Sequence, residues 1–177
     1  MRLLAVYAFV AALLAVSRPA ADEVAAGALV ALVGEALRVW AAGHLVKSSR
    51  LITSGPYAYV QHPLYLGRLL ILAGIGVAAR SPHHLNLLAL GAACAVFFLY
   101  YLPRKRRVEG ARLAARHGPA YEAYRRAVPL LLPARRRHPG AARDRWSLAL
   151  AARSGEPPVL LGILLTFGFL AWKSAVP

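Results

Sequence analysis

Residues 85–102, LNLLALGAACAVFFLYYL, run for eighteen positions without a charge, and Pro103 then introduces Arg104-Lys105-Arg106-Arg107. A helix of about that length crosses the hydrocarbon core of a bilayer, and a cation cluster at its end marks the side where it emerges. Four comparable blocks lie outward of it. Residues 3–17 and 157–172 carry no charge, residues 24–46 carry only Glu35 and Arg38, and residues 63–79 only Arg68. The apolar residues are gathered in blocks rather than spread with an amphipathic period, which favours membrane spans over a soluble core.

Composition agrees. Of the 177 residues 59% are hydrophobic and only 16% charged, yet the formal net charge is +15. A single cysteine, Cys94, excludes an intramolecular disulfide and a cysteine-rich metal site. The positive charge fits either nucleic acid or the anionic face of a membrane, and its placement decides between them. Of the 22 Lys and Arg residues, 14 fall between Pro103 and Glu156, while Arg2 precedes the first span and Lys47 and Arg50 lie between the second and third. The positive-inside rule therefore puts the amino terminus and those connections in the cytoplasm, and the carboxyl terminus outside. No soluble basic domain with base-reading elements is visible, so no nucleic-acid partner is expected. The expectation is an all-α, polytopic integral-membrane bundle of about five spans over residues 1–177. Residues 134–156 form a basic juxtamembrane segment, read either as lying on anionic lipid or as a solvated linker. Residues 157–174 add a carboxyl-terminal span. The first block also has the grammar of a secretory signal, with Pro19-Ala20-Ala21 as its small-residue end.

Two stretches carry candidate chemistry. In RLITSGPYAYVQHPLYLG, residues 50–67, Gly55-Pro56 marks a turn and Pro63 opens the third helix at its first position, with His62 at or before the N-cap. Tyr57, Tyr59, His62 and Tyr65 crowd one end of a span, as an interfacial aromatic belt or as a binding site. In residues 104–129, RKRRVEGARLAARHGPAYEAYRRAVP, the positions Leu113, Tyr121, Tyr124 and Val128 recur at near-helical spacing, and Gly118-Pro119 splits the stretch into two short helices. Glu109 stands among cations. It either pairs with Lys105 or Arg112, or faces a pocket where a carboxylate can grip an amine or a ribose. Within the second block, Glu35 and Arg38 lie three apart and are read as a mutual pair. His83-His84 read as interfacial residues rather than ligands, and no metal-ligand spacing appears.

Together the two stretches resemble the isoprenylcysteine carboxyl methyltransferase family, which is similar in turn to phosphatidylethanolamine N-methyltransferases. The resemblance spans residues 38–133. It rests on Thr53-Ser54-Gly55-Pro56-Tyr57, on His62-Pro63-Leu64-Tyr65-Leu66-Gly67, and on Glu109, Leu113, His117-Gly118, Tyr121, Tyr124 and Val128-Pro129. It implies methyl transfer from S-adenosyl-L-methionine in a cytoplasm-facing pocket roofed by the segment after the fourth span. The cofactor contacts it implies are Leu51, Ile52, Tyr57, His62, Pro63, Leu64, Tyr65 and Glu109. Lys105, or its neighbour Arg106, would face the substrate. The implied acceptor is a lipid-like or prenylated small molecule or protein entering from the bilayer, which in a prokaryote is the inner, cytoplasmic membrane.

Three positions depart from the family pattern. Gln61 precedes the His-Pro pair, Gly110 replaces a second acid, and His117 replaces a phenylalanine. A sulfonium methyl is already activated, so positioning and exclusion of water matter more than a strong acid–base pair. Many cations and few acids lean toward carboxylate O-methylation. N-methylation of an amine headgroup such as phosphatidylethanolamine is the second reading, and a non-catalytic membrane module of the same fold the third. A nicotinamide-dependent reductase on such a scaffold is less favoured, because little chain remains to cover a dinucleotide.

Overall fold

The computed structural model describes residues 11–46 and 50–176, and among these every regular element is helical. Residues 11–16 are helical, α1; residues 3–10 of the first apolar block lie outside the described residues, as do Arg2 and Lys47. Then follow α2 (Ala21–Ala42), α3 (Pro63–Ala78), α4 (Leu85–Val96), α5 (Leu102–Ala127), the short α6 (Leu148–Arg153) and α7 (Glu156–Ala175). Among the described residues three helical stretches are long and apolar enough to cross a membrane: Ala21–Ala42, Glu156–Ala175 and the run Pro82–Ala127. The apolar α3, of 16 residues, is shorter.

α2 and α3 form the centre of the bundle as a close antiparallel pair, and glycine permits the approach. Gly27 and Gly34 on α2 meet Gly74 and Gly67 on α3. A Cβ on Gly34 would fall 2.6 Å from the Gly67 carbonyl oxygen, and one on Gly67 2.5 Å from that of Gly34. Ala31 and Ala78 are fully buried beside them. Small residues serve this purpose in membrane helix pairs, where affinity comes from backbone proximity and dispersion rather than from water exclusion. α7 lays Ile163, Phe167 and Leu170 against Val24, Ala31, Ile71 and Ala78, so the last span packs within the protomer.

The α2–α3–α7 contact also holds an ionic cluster. Arg38 reaches Glu35 at 3.3 Å and Glu156 at 2.7 Å, with all three side chains under 8% exposed. Arg38 Nη1 also donates to the Leu64 carbonyl at 3.4 Å. The Glu35–Arg38 pair is as the spacing implies; Glu156, at the first turn of α7, is an addition that spacing does not reveal.

α4 and α5 are not separate elements. A single π turn, Phe97–Tyr101, joins them, with Leu102 N–H donating to the Phe97 carbonyl. The widened turn lies just before Pro103, where the ladder loses a donor, so the helix continues where a proline would otherwise break it. The break comes at Gly118 (φ 48°), ahead of Pro119, and divides α5 into the two helical pieces that the sequence suggests.

Residues 134–147 are pinned to the bundle. Ala134 N–H donates to the Tyr59 carbonyl at 2.8 Å, His138 N–H to that of Ala58 at 2.9 Å, and Ser147 N–H to that of Gly43 at 2.9 Å. Ala142 N–H donates to Thr53 Oγ1 at 2.9 Å. Trp146 lies against Gly43, and its indole N–H donates to the Val39 carbonyl at 3.2 Å. Arg50 pairs with Asp144 at 2.7 Å. The segment is basic, with Arg135 and Arg136 exposed, but it is a strap across the end of α2 rather than a free linker.

Candidate functional site

The strap, the 50–62 loop, the start of α3 and the bend of α5 converge at one end of the bundle. Pro63 takes the first helical position of α3, and His62 is its N-cap residue, without a side-chain capping bond. The chain past α5 pairs back onto this corner: Gln61 N–H donates to the Pro129 carbonyl at 2.9 Å and His62 N–H to that of Leu130 at 3.1 Å. Gln61 Nε2 donates to the carbonyls of Val128, at 2.5 Å, and Arg125, at 3.2 Å. Gln61, a departure from the family pattern, is thus the clasp between the His-Pro corner and the end of α5.

Tyr121, Tyr124 and Val128 form a buried cluster with Leu113, Ala114 and Leu51, the face that their spacing implies. Tyr124 Oη donates to the Tyr57 carbonyl at 2.8 Å, fixing the Gly55–Ala58 turn. Tyr57 is 8% exposed and its hydroxyl has no hydrogen-bond partner. Burial, followed by the Glu109 and Glu156 carboxylates, pushes its phenol pKa up, so it remains a protonated donor. Burial lowers the pKa of His62; Glu109 opposes this, while Lys105 and Arg106 add to it. The imidazole is therefore neutral at pH 7 and keeps an acceptor nitrogen.

A cavity of about 480 Å³ opens here, with Gln61, His62, Arg106, Glu109, Leu113 and Tyr121 among its lining residues. A smaller pocket of about 150 Å³ is lined by Leu51, Ile52, Tyr57 and His117, and shares Gln61, Leu113 and Tyr124 with the first. The fold thus places His62, Arg106 and Glu109 on the larger space and Leu51, Ile52 and Tyr57 on the smaller one beside it. Pro63, Leu64, Tyr65 and Lys105 line neither space. Pro63 is fully buried in the helix start. Leu64 gives its carbonyl to Arg38. Tyr65 turns toward α4 and α5, with its hydroxyl 3.2 Å from that of Tyr101 and its ring edge-on to Phe97. Lys105 pairs with Glu109 at 3.4 Å along the helix, one of the two pairings the sequence leaves open.

Arg107, Ala114 and Arg125 also line the larger cavity. No motif points to Arg107 or Arg125. Arg125 follows Tyr121 by four residues, one helical turn, which is its sequence signal; Arg107 stands two residues from Glu109, a spacing that does not share a face, and has none. Gly110 also lines the cavity, and a Cβ there would sit 3.2 Å from Tyr121 Oη.

Residues 23–106 match the family model described as phospholipid methyltransferase. The match supports the wider grouping of phospholipid and isoprenylcysteine methyltransferases without singling out the carboxyl methyltransferase branch. It covers α2, the 50–62 loop, α3 and the run up to Arg106; Glu109 lies just beyond it. Over 109 residues the chain is 35% identical to the cobalt-zinc-cadmium resistance protein CzcN of Cupriavidus metallidurans, and 32% identical to the nickel-cobalt-cadmium resistance protein NccN of Alcaligenes xylosoxydans xylosoxydans. Each match covers 60% of this chain and 46% of the relative, so the chain spans about half the length of the curated relatives it matches. No solved structure matches it.

Proposed function

We propose that the corner between α3 and α5 is the active site of an integral-membrane methyltransferase that uses S-adenosyl-L-methionine and takes a lipid-like or prenylated acceptor from the bilayer. The observation that carries this reading is the convergence of His62, Arg106 and Glu109 on one cavity at the end of the segment that matches the phospholipid methyltransferase model. The volume lies within the range of small-molecule sites. The donor set suits the cofactor as well: Glu109 to accept from hydroxyl or ammonium groups, Arg106 and Arg107 to meet a carboxylate, and Leu113 and Ala114 for an apolar ring, while Tyr57, with its enclosed and unpartnered hydroxyl, lines the adjoining smaller pocket.

The cofactor, when bound, supplies an activated methyl on a sulfonium centre. The chain's residues have the tasks of binding, orienting and excluding water. Arg106 lines the cavity while Lys105 is engaged with Glu109, so Arg106 is the better placed cation to orient an anionic acceptor. Carboxylate O-methylation needs no base, which suits a cavity whose two acids are both engaged, Glu109 with Lys105 and Glu122 with Arg125. N-methylation of an amine headgroup is the second reading, favoured by the family description and by the neutral His62, which can accept the proton an amine must lose. The site faces the cytoplasm in this reading, on the side marked by the Arg- and Lys-rich segment.

The two curated relatives are named for metal resistance, but among the described residues no three His, Cys, Asp or Glu side chains converge to hold a metal ion. The cavity supports transfer to an organic acceptor. Titration calorimetry of S-adenosylhomocysteine into detergent-purified protein tests the proposal: binding is expected in the parent and loss of at least tenfold in Glu109→Ala and His62→Ala. A parent that does not bind refutes it. Labelled methyl in lipid extracts then separates the two acceptors, since mild base releases a methyl ester and leaves an N-methyl group.

A further inference from the structure

Gln61, Leu113 and Tyr124 line both the larger space at His62 and Glu109 and the smaller one beside it. A ligand that fills both passes from one to the other at this junction. Leu113 brings no polar group to it, and Tyr124 gives its hydroxyl proton to the Tyr57 carbonyl at 2.8 Å. The remaining polar side chain shared by the two spaces is Gln61.

Its amide is held in one orientation. Nε2 donates to the Val128 carbonyl at 2.5 Å and to the Arg125 carbonyl at 3.2 Å, which commits both protons and fixes which end of the amide lies against α5. The backbone N–H is committed as well, to the Pro129 carbonyl at 2.9 Å. Oε1 receives no hydrogen bond from the described residues and, unlike the Tyr57 hydroxyl, is not enclosed by the protein. What Gln61 has left for a ligand is thus a neutral acceptor with a fixed direction. A lysine or arginine at this position could hold the same two carbonyls but would offer no acceptor.

We infer that Gln61 Oε1 accepts a hydrogen bond from a ribose hydroxyl of the methyl donor, which makes Gln61 a specificity-determining residue as well as the clasp of the His-Pro corner. This rests on the methyl-transfer reading above and extends it to a residue that departs from the family pattern. The smaller space, of about 150 Å³, has aliphatic walls from Leu45, Leu51 and Ile52 and two rings, Tyr57 and His117, a lining that suits a flat base. The larger one carries Arg106, Arg107 and Glu109, which suit the charged amino-acid end. The sugar joins those two parts of the molecule, so it occupies the junction, and its hydroxyls are the donors that a carbonyl oxygen takes. A ligand with phosphates at this point, such as a dinucleotide, would set acceptor against acceptor.

Titration calorimetry of the full chain in detergent tests this with S-adenosylhomocysteine and its 2′-deoxy and 3′-deoxy forms. In the parent, removal of one of the two hydroxyls is expected to weaken binding about fivefold, the usual worth of a neutral hydrogen bond. Gln61→Lys keeps a donor for the Val128 and Arg125 carbonyls and removes the acceptor. It should therefore melt near the parent and bind all three ligands within about twofold of one another. Gln61→Met removes clasp and acceptor together, and should lower Tm as well as erase the discrimination. A parent that does not bind S-adenosylhomocysteine overturns the methyl-transfer reading and this one with it. A parent that binds all three ligands equally overturns this assignment alone, whether or not the variants fold, and so does a Gln61→Lys variant that discriminates as the parent does.

Discussion

Gly34→Ala asks whether the bundle depends on backbone contact between α2 and α3. The new methyl would stand 2.6 Å from the Gly67 carbonyl oxygen, 2.9 Å from Leu70 Cβ and 3.0 Å from Ile71 N. Two of those three are backbone atoms, so no side-chain rotation relieves the overlap and the helices must separate. Overpacking of this kind costs about 1–3 kcal/mol. Alanine returns up to about 1 kcal/mol through its better helix propensity. The expected net is a loss of up to about 2 kcal/mol, or a fall of as much as several degrees in Tm for a chain of this size. Gly162→Ala and Gly168→Ala supply the internal control, because a Cβ at either position on α7 meets nothing within 4 Å. Only the propensity gain applies there, so those variants should match or exceed the parent. Melting of the detergent-purified proteins, followed by light scattering or intrinsic fluorescence, reads all three. If Gly34→Ala is as stable as Gly162→Ala, the close pairing is wrong and the bundle is held elsewhere.

Glu156→Ala leaves Arg38 buried with the poorly placed Glu35 alone; breaking a buried pair in this way costs about 3–5 kcal/mol, and Glu156→Gln should cost less, as read by thermal or denaturant unfolding. Tyr57→Phe removes a buried hydroxyl that has no protein partner, so it should leave Tm unchanged or raised while weakening S-adenosylhomocysteine binding severalfold; a lower Tm with unchanged binding would make the hydroxyl structural. His62 has a folded pKa below its unfolded value near 6.5, so as pH falls through that value the unfolded chain takes up a proton that the folded chain resists. Stability should therefore fall as pH drops below about 6.5, and His62→Gln should flatten that part of the melting profile.

What could be read from the sequence is local. Pro63 marks the start of α3 because proline pre-sets a helical first turn, and Gly118-Pro119 marks the bend in α5 because only glycine takes φ 48° without strain. The Tyr121–Tyr124–Val128 face and the Glu35–Arg38 pair follow from helical spacing. What could not be read is where distant segments return. Glu156 joins Arg38 across 118 positions. The 134–147 strap hydrogen-bonds through its backbone, which leaves no trace in side-chain pattern. The resemblance groups His62 through Tyr65 as one contact run, but a helix start sends successive side chains in different directions, so only His62 reaches the cavity while Tyr65 meets Tyr101.

That divergence explains how the parts of the chain beyond the matched segment bear on the site. Leu64, two residues past His62, gives its carbonyl to Arg38, and Arg38 is held by Glu156 at the head of α7. On the other flank, Gln61 clasps the end of α5 and the strap ties the 53–59 loop to the end of α2. The His-Pro corner is thus braced from both sides by elements that lie after residue 106. Residues 23–106 by themselves supply His62, Arg106 and the Arg38–Leu64 contact, but neither Glu109 nor the Glu156, Val128 and strap contacts that complete the bracing. A binding site needs its side chains held within about half an ångström to work. If this corner is the site, the expected outcome is that truncation before α6, which removes Glu156 and α7, abolishes S-adenosylhomocysteine binding by titration calorimetry even where the first helices still insert.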